Sequence, residues 1–277
     1  MIDLLGQILD GRYALTYRIH VGGVATVYLA RDQFLRRSVV LKVLHPALAT
    51  APAYVERFRR EACVAASLSH PNLISVYNLG ACAGTYYIVM EHVTGPSLGQ
   101  SLQIGGRISE VRALQITAQA AAALGAAHER GIAHGDVRSH NILLAAHGQV
   151  KITDFGCAQT ATGDGRADLY HLGLMLHEML TGSQTMPAGT MAPAAWARLR
   201  LSPWTDAIVR RALAPDAAFR FPTAEAMRAA SESALSQIAI EASRPDHSRA
   251  RAAHSVDRQP RIGLLDLLRP RSTRLAS

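Results

Sequence analysis

The alternation of apolar and polar positions changes character once along the chain. Between Tyr13 and Met90 the apolar residues come in short runs, ALTYRI, ATVYLA, SVVLKVL and YYIVM, rich in β-branched and aromatic side chains and separated by turns, a pattern that predicts strands. One longer segment, PAYVERFRREACVAASL (52–68), interrupts them. It puts Phe58, Cys63, Ala66 and Leu68 near helical spacing and stops at His70-Pro71-Asn72, which predicts a helix with that apolar face. From Thr94 onward the pattern is mainly helical. Ser109 is the predicted N-cap of a helix running to about Arg130, where Gly131 supplies a left-handed stop. Short strands are predicted at 132–134, 141–145 and 149–153, then helices over ADLYHLGLMLHEML, WTDAIVRRAL and TAEAMRAASESAL. The outcome is an α+β fold of two lobes, a small β-rich one over 12–93 and a larger helical one over 94–235, with a ligand cleft between them.

Composition narrows the class. With 49% hydrophobic and 18% charged residues over 277 positions, the chain reads as globular. Its Ala-rich run from Ala113 to Ala127 is interrupted by Gln115 and Gln119, so no membrane span is expected. The opening MIDLLGQILDGRY carries acids instead of a basic region, so no secretory leader is expected. Cys63, Cys82 and Cys157 have neither disulfide-framework nor zinc-ligand spacing, and a reducing cytoplasm fits them.

The formal charge is +8, but residues 241–277 hold eight Arg against four acids. This predicts a solvated, disordered basic tail over 236–277 and argues against a nucleic-acid partner. Within it, only RIGLLDLLRP (261–270) has the pattern of an amphipathic turn or two, open to reading as a docking peptide or as an incidental apolar patch, the latter being the more common case. Only Lys42 and Lys151 among the 29 basic residues are lysines, so a lysine marks a place where an ammonium is specifically required.

Three clusters carry chemistry. In VGGVATVYLARD (21–32) a turn at Gly22 and Gly23 joins two strands, and backbone without side chains can come close to phosphate oxygens. In VVLKVL, Lys42 points inward from a strand and needs a counter-charge; Glu61, nineteen residues on, can supply it from a helix packed on that strand. The strongest cluster is HGDVRSHN (134–141) followed by KITDFG (151–156). It brings a carboxylate base, Asp136, together with two hard oxygen donors, Asn141 and Asp154, of the kind that Mg²⁺ takes.

With these residues in order, the chain from 12 to about 235 resembles the protein kinase domain of the bacterial Ser/Thr, eukaryotic-like type. GRYALTYRIHVGGVATVYLARD, FRREACVAASLSHPNLISVY, YYIVMEHVTGPSL and GIAHGDVRSHNILL carry the likeness phrase by phrase. The resemblance implies ATP and Mg²⁺ as cofactors and a protein hydroxyl as acceptor. It assigns Gly22 and Gly23 to the phosphate loop, Lys42 and Glu61 to an ion pair on the α- and β-phosphates, and Met90 to the back of the adenine pocket. It gives Glu91, His92 and Val93 backbone bonds to the adenine edge, with Val27, Val40 and Leu143 against its faces. Asp136 becomes the catalytic base with Arg138 beside it, and Asn141 and Asp154 become the metal ligands. Asp168 either braces the catalytic loop or simply caps its helix.

Departures from the family pattern matter as much. Only CAQTATGDGRA (157–167) separates Gly156 from Asp168, with no Ala-Pro-Glu motif and no length for a platform that holds an extended peptide. Gly135 stands where Arg is usual, Arg138 where Lys is usual, Val40 where Ala is usual, and His20 where the first loop Gly is usual. Arg220, which the family pairs with the missing Glu, is expected to be exposed or re-paired with a nearby acid. Cys157 is expected to be a plain buried thiol. The leading reading is a Ser/Thr protein kinase. Beside it stand a pseudokinase scaffold that binds ATP without turnover, and a small-molecule phosphotransferase, the latter motivated by HGD.

Overall fold

The computed structural model describes residues 4–82, 84–155, 165–183 and 199–243. Residues 1–238 form one compact unit and 239–277 a second. The first unit begins with a six-stranded antiparallel sheet: β1 (Ile8–Leu9), β2 (Tyr13–Val21), β3 (Ala25–Asp32), β4 (Arg37–Leu44), β5 (Val76–Cys82) and β6 (Thr85–Glu91), in the order β1-β2-β3-β4-β6-β5. Strict alternation along β4 buries Val39, Leu41 and Val43 on one face and turns Val40 and Lys42 to the other. Register does the rest. Lys42 pairs with Val27 on β3 and Ile88 on β6, while Val40 pairs with Leu29 and Met90. Because directly opposed residues share a face, Val27, Val40, Lys42 and Met90 stand on one side of the sheet.

Between β4 and β5 lie a short helix α1 (Pro46–Ala49) and the long α2 (Pro52–Ser67). The sequence-predicted face of α2 needs correction. Phe58, Glu61 and Ala62 are its buried residues, whereas Cys63 and Ala66 are exposed. The positions 58, 61 and 62 keep helical spacing, and the Glu61 carboxylate has to face Lys42, which rotates Cys63 to the far side.

The larger part contains α3 (Leu98–Gly105), α4 (Glu110–His128), a hairpin of β7 (Ile142–Leu144) and β8 (Val150–Ile152), then α5 (Arg166–Thr181), α6 (Pro203–Ala212) and α7 (Ala224–Ala242). Helix α3 starts on a full capping box, Ser97 accepting from Gln100 N and Gln100 reaching back to Ser97 N. Helix α4 lies in the core, where Ala113, Ala120, Ala121, Ala123 and Leu124 are wholly buried. Its small side chains let α5 approach with Leu172, Leu176 and Met179. Gly131 takes the predicted left-handed conformation after α4, at φ 71°.

Two further sequence readings are corrected. Residues 132–134 form no strand, because their backbone donors go elsewhere: Ile132 N to Ala127 O, and His134 N to the Asp168 carboxylate. The last helix runs past Leu235 to Ala242, so residues 236–242 of the expected tail are helical. The rest of that expectation, residues 244–277 with RIGLLDLLRP, lies outside the described residues, as do Gly156 and Cys157. No helix among the described residues is long and apolar enough to cross a membrane.

Candidate active site

The site forms where the cleft face of the sheet meets the loop after α4 and the β7–β8 hairpin. Lys42 Nζ makes a close ion pair with Glu61 Oε1 and a second one, at 2.9 Å, with Asp154 Oδ1. Lys42 and Glu61 are 16% and 12% exposed, shielded enough for the charges to matter to one another. One ammonium therefore joins a strand, a helix and the start of the segment after β8. Asp154 adopts a left-handed backbone, φ 64°, a conformation that Asp tolerates better than most residues, and this aims its carboxylate at Lys42. Phe155 turns the opposite way and is buried, its ring 4.4 Å from that of His134 in an edge-on contact. A small cavity of about 20 Å³, with room for one water, is lined by Glu61, Ala62, Ala65, Ile74, Met90 and Phe155.

The loop 134–141 is held by hydrogen bonds rather than by regular structure. Asn141 Nδ2 donates to Asp136 O at 2.9 Å and to Asp136 Oδ2 at 3.1 Å, which fixes the loop ends against each other. Thr153 N donates to Asn141 O at 3.0 Å, so Asn141 and Asp154 are brought together from separate segments. Arg138, 62% exposed, places Nη2 2.7 Å from Asp136 Oδ2. The guanidinium thus sits on the candidate base.

His134 and Asp168 set the position of this loop. The His134 ring is fully buried; its Nδ1 accepts from Asp136 N at 3.1 Å, so the proton lies on Nε2, which donates to Thr153 O at 2.9 Å. Burial pushes the His134 pKa down, favouring that neutral form. Asp168, in the first turn of α5, is 1% exposed and accepts from His134 N (2.7 Å), Gly135 N (2.8 Å) and His128 Nε2 (2.8 Å). Burial raises its proton affinity, but these three donors outweigh it and hold the carboxyl below its usual pKa. Gly165 is the N-cap of α5, so of the two roles open to Asp168 the loop brace is the one observed.

The remaining sequence-predicted residues fall around the same cleft. Gly22 N closes the hairpin on Ala25 O at 3.0 Å, and a Cβ at Gly22 would lie 3.2 Å from that oxygen, whereas Gly23 has open space. Val27, Val40, Met90 and Leu143 are half-buried, and Glu91 and Val93 form the crossing from β6 toward α3. Arg220 is re-paired, though not with an acid: it donates to Ala214 O (2.8 Å) and Pro215 O (3.1 Å) and lies over the Tyr170 ring at 4.4 Å. Sequence reasoning missed His128, whose partner is forty residues away, and the side chains of Lys151 and Glu91, which pair at 2.8 Å.

The donor set suits a hard cation presented by phosphate: a carboxylate on Asp154 and an amide oxygen on Asn141, whose nitrogen is already committed to Asp136. No cluster of three or more His, Cys, Asp or Glu that could hold a metal is found among the described residues.

Comparison with known proteins finds matches among protein kinase domains. The family model for the protein kinase domain matches residues 13–167. The serine/threonine-protein kinase PrkC of Bacillus subtilis is 34% identical over 264 aligned positions, covering 82% of this chain and 41% of PrkC. PknB of Mycolicibacterium smegmatis is 36% identical, covering 80% of this chain and 43% of PknB. The chain thus spans less than half the length of these two relatives. Among solved structures, the kinase domain of Mycobacterium tuberculosis PknI superposes with a TM-score of 0.68 at 29% identity, over 84% of this chain and all of that domain.

Proposed function

Because the chain belongs to the protein kinase domain family, we propose that it is a Ser/Thr protein kinase, transferring the γ-phosphoryl group of ATP to a protein hydroxyl. The observation that carries this reading is Lys42 bridging Glu61 and Asp154 beside the hydrogen-bonded pair Asp136 and Asn141. A fixed cation, a base and two oxygen ligands are the groups that phosphoryl transfer asks of a protein, since the reaction is governed by position and charge.

In this reading Lys42 holds the α- and β-phosphates, and Gly22 and Gly23 lie over them. The adenine ring is sandwiched by Val27, Val40 and Leu143, ends at Met90, and exchanges hydrogen bonds with the backbone of residues 91–93, donating to Glu91 O, whose N–H is already given to Ser75 O, and accepting from Val93 N. Asn141 and Asp154 would hold Mg²⁺, which when bound neutralises charge on the phosphates. Asp136 accepts the proton of the incoming hydroxyl. Arg138, seated on the same carboxylate, offers its remaining N–H groups to the γ-phosphate. The short connection from Phe155 to α5 supports an acceptor that presents its hydroxyl at an open cleft instead of lying along a platform. A cytoplasmic setting agrees with the free thiols of Cys63 and Cys82.

The test is incubation with labelled ATP and Mg²⁺. Wild-type protein should label itself or a generic protein acceptor, and Asp136→Asn should lose about 10²–10⁴-fold in rate while keeping its melting temperature. Lys42→Met should lose transfer and ATP affinity together. A wild type that binds ATP yet labels no protein in a broad panel overturns the proposal.

A further inference from the structure

Glu91 is the last residue of β6, where the backbone leaves the sheet and crosses toward α3. Its N–H donates to Ser75 O at 2.9 Å, and its Oε2 accepts from Ser75 N at 3.2 Å and from Lys151 Nζ at 2.8 Å. Lys151 lies on β8, directly opposite Leu143 in the hairpin register and three residues ahead of Asp154. Its side chain is 12% exposed, and the ammonium also approaches Leu73 O at 3.4 Å.

Both lysines of the chain therefore stand at this cleft, in a sequence that uses arginine at every other basic position. A compact ammonium can face a carboxylate and a carbonyl from different directions in a tight space. A planar guanidinium is bulkier and presents its donors in a fixed fork, so it cannot reproduce that arrangement in the same space.

We propose that Lys151 is a positioning residue of the nucleotide site. Acting through Glu91, it holds the backbone of residues 91–93, which reads the adenine edge, in register with Leu143 below and Asp154 beyond. This rests on the reading of the cleft as an ATP site. The pair is largely shielded from solvent, with side chains 12% and 23% exposed, so removing one partner leaves the other charge poorly compensated. Its effect is on where the adenine-reading backbone sits relative to the phosphate-binding groups.

The experiment is calorimetric binding of ATP and of inosine triphosphate, in which a carbonyl replaces the 6-amino group, to wild type, Lys151→Met, Lys151→Arg and Glu91→Gln, each with Mg²⁺. Lys151→Met should weaken ATP about tenfold and inosine triphosphate much less, so that the preference between them shrinks. Lys151→Arg should fail to restore it, and Lys151→Met combined with Glu91→Gln should be no worse than either alone. If Lys151→Met does not fold, Glu91→Gln, which keeps shape and hydrogen bonding, carries the same comparison. Variants that lose melting temperature but keep the wild-type preference for ATP would make the pair merely structural and overturn the inference. A wild type that binds neither nucleotide removes the ATP-site reading itself, and this inference with it.

Discussion

Asp168 is the residue on which most of the site's order depends. Its buried carboxylate satisfies two backbone amides of the catalytic loop and the Nε2–H of His128 at once. Removing it takes the acceptor from three donors, of which His134 N is fully buried while Gly135 and His128 keep some exposure, and a donor left buried without an acceptor costs of order 1–3 kcal/mol. Asp168→Ala is therefore expected to lower unfolding free energy by about 3–5 kcal/mol and to release the loop carrying Asp136. Denaturant unfolding checks the first effect and ATP turnover the second; a loss below about 1 kcal/mol would mean that the loop finds other acceptors. Arg220 shows the opposite case. With no Ala-Pro-Glu carboxylate in the sequence, it takes two carbonyl oxygens and the face of Tyr170, so its charge is solvated by dipoles and a ring rather than by an anion.

Elements succeed or fail as predictions according to where their hydrogen bonds go. The sheet follows local pattern, since alternation survives into the fold, whereas α2 keeps its helical extent but buries a different face from the one predicted. The IAH segment (132–134) is predicted as a strand, which the structure does not form. Its partner turned out to be a carboxylate on α5, and an acid thirty-four residues away leaves no mark on a local pattern. The crossing between the two parts is another tertiary product. At Gly95 an added Cβ would fall 1.9 Å from Leu144 O, so the backbone after the adenine-reading segment lies directly on β7. Because backbone cannot retreat as a flexible side chain can, Gly95→Ala should cost about 2 kcal/mol or more and push residues 91–93 away from Leu143. The expected readings are a lower melting temperature and weaker ATP binding. Gly23→Ala, with open space around it, is the control that should leave the melting temperature unchanged.

For the molecule as a whole, the buried histidines and carboxylates with displaced pKa values act in one direction on the acid side of neutrality. Burial lowers the pKa of His70, His134 and His177, so between about pH 6.5 and their depressed folded values the unfolded chain binds protons that the folded chain refuses. Stability must then fall as pH drops through that window. The carboxylates add a second loss at lower pH. The hydrogen bond from Arg12 holds Asp32 down to about 2, and Asp168 also lies below its usual pKa, so their contribution is complete above about pH 4 and disappears as pH falls further. Melting temperature should accordingly rise between about pH 5 and pH 7.5 and level off above it. Calorimetry across that range checks the sign, and a flat or falling profile would contradict it.

The amino-acid sequence alone determined the two-part α+β organisation, the family resemblance, and the identity of Lys42, Glu61, Asp136, Asn141 and Asp154. These depend on periodicity and on motif spacing, which are properties of neighbours along the chain. Only the tertiary structure decided that Lys42 joins Glu61 to Asp154, that Arg138 rests on Asp136, that Asp168 braces the loop, and that Lys151 ties β8 to Glu91. Each of those contacts is set by the few ångströms within which charges and hydrogen bonds act, and that distance between residues far apart in sequence exists only after the sheet register and helix packing have brought them together.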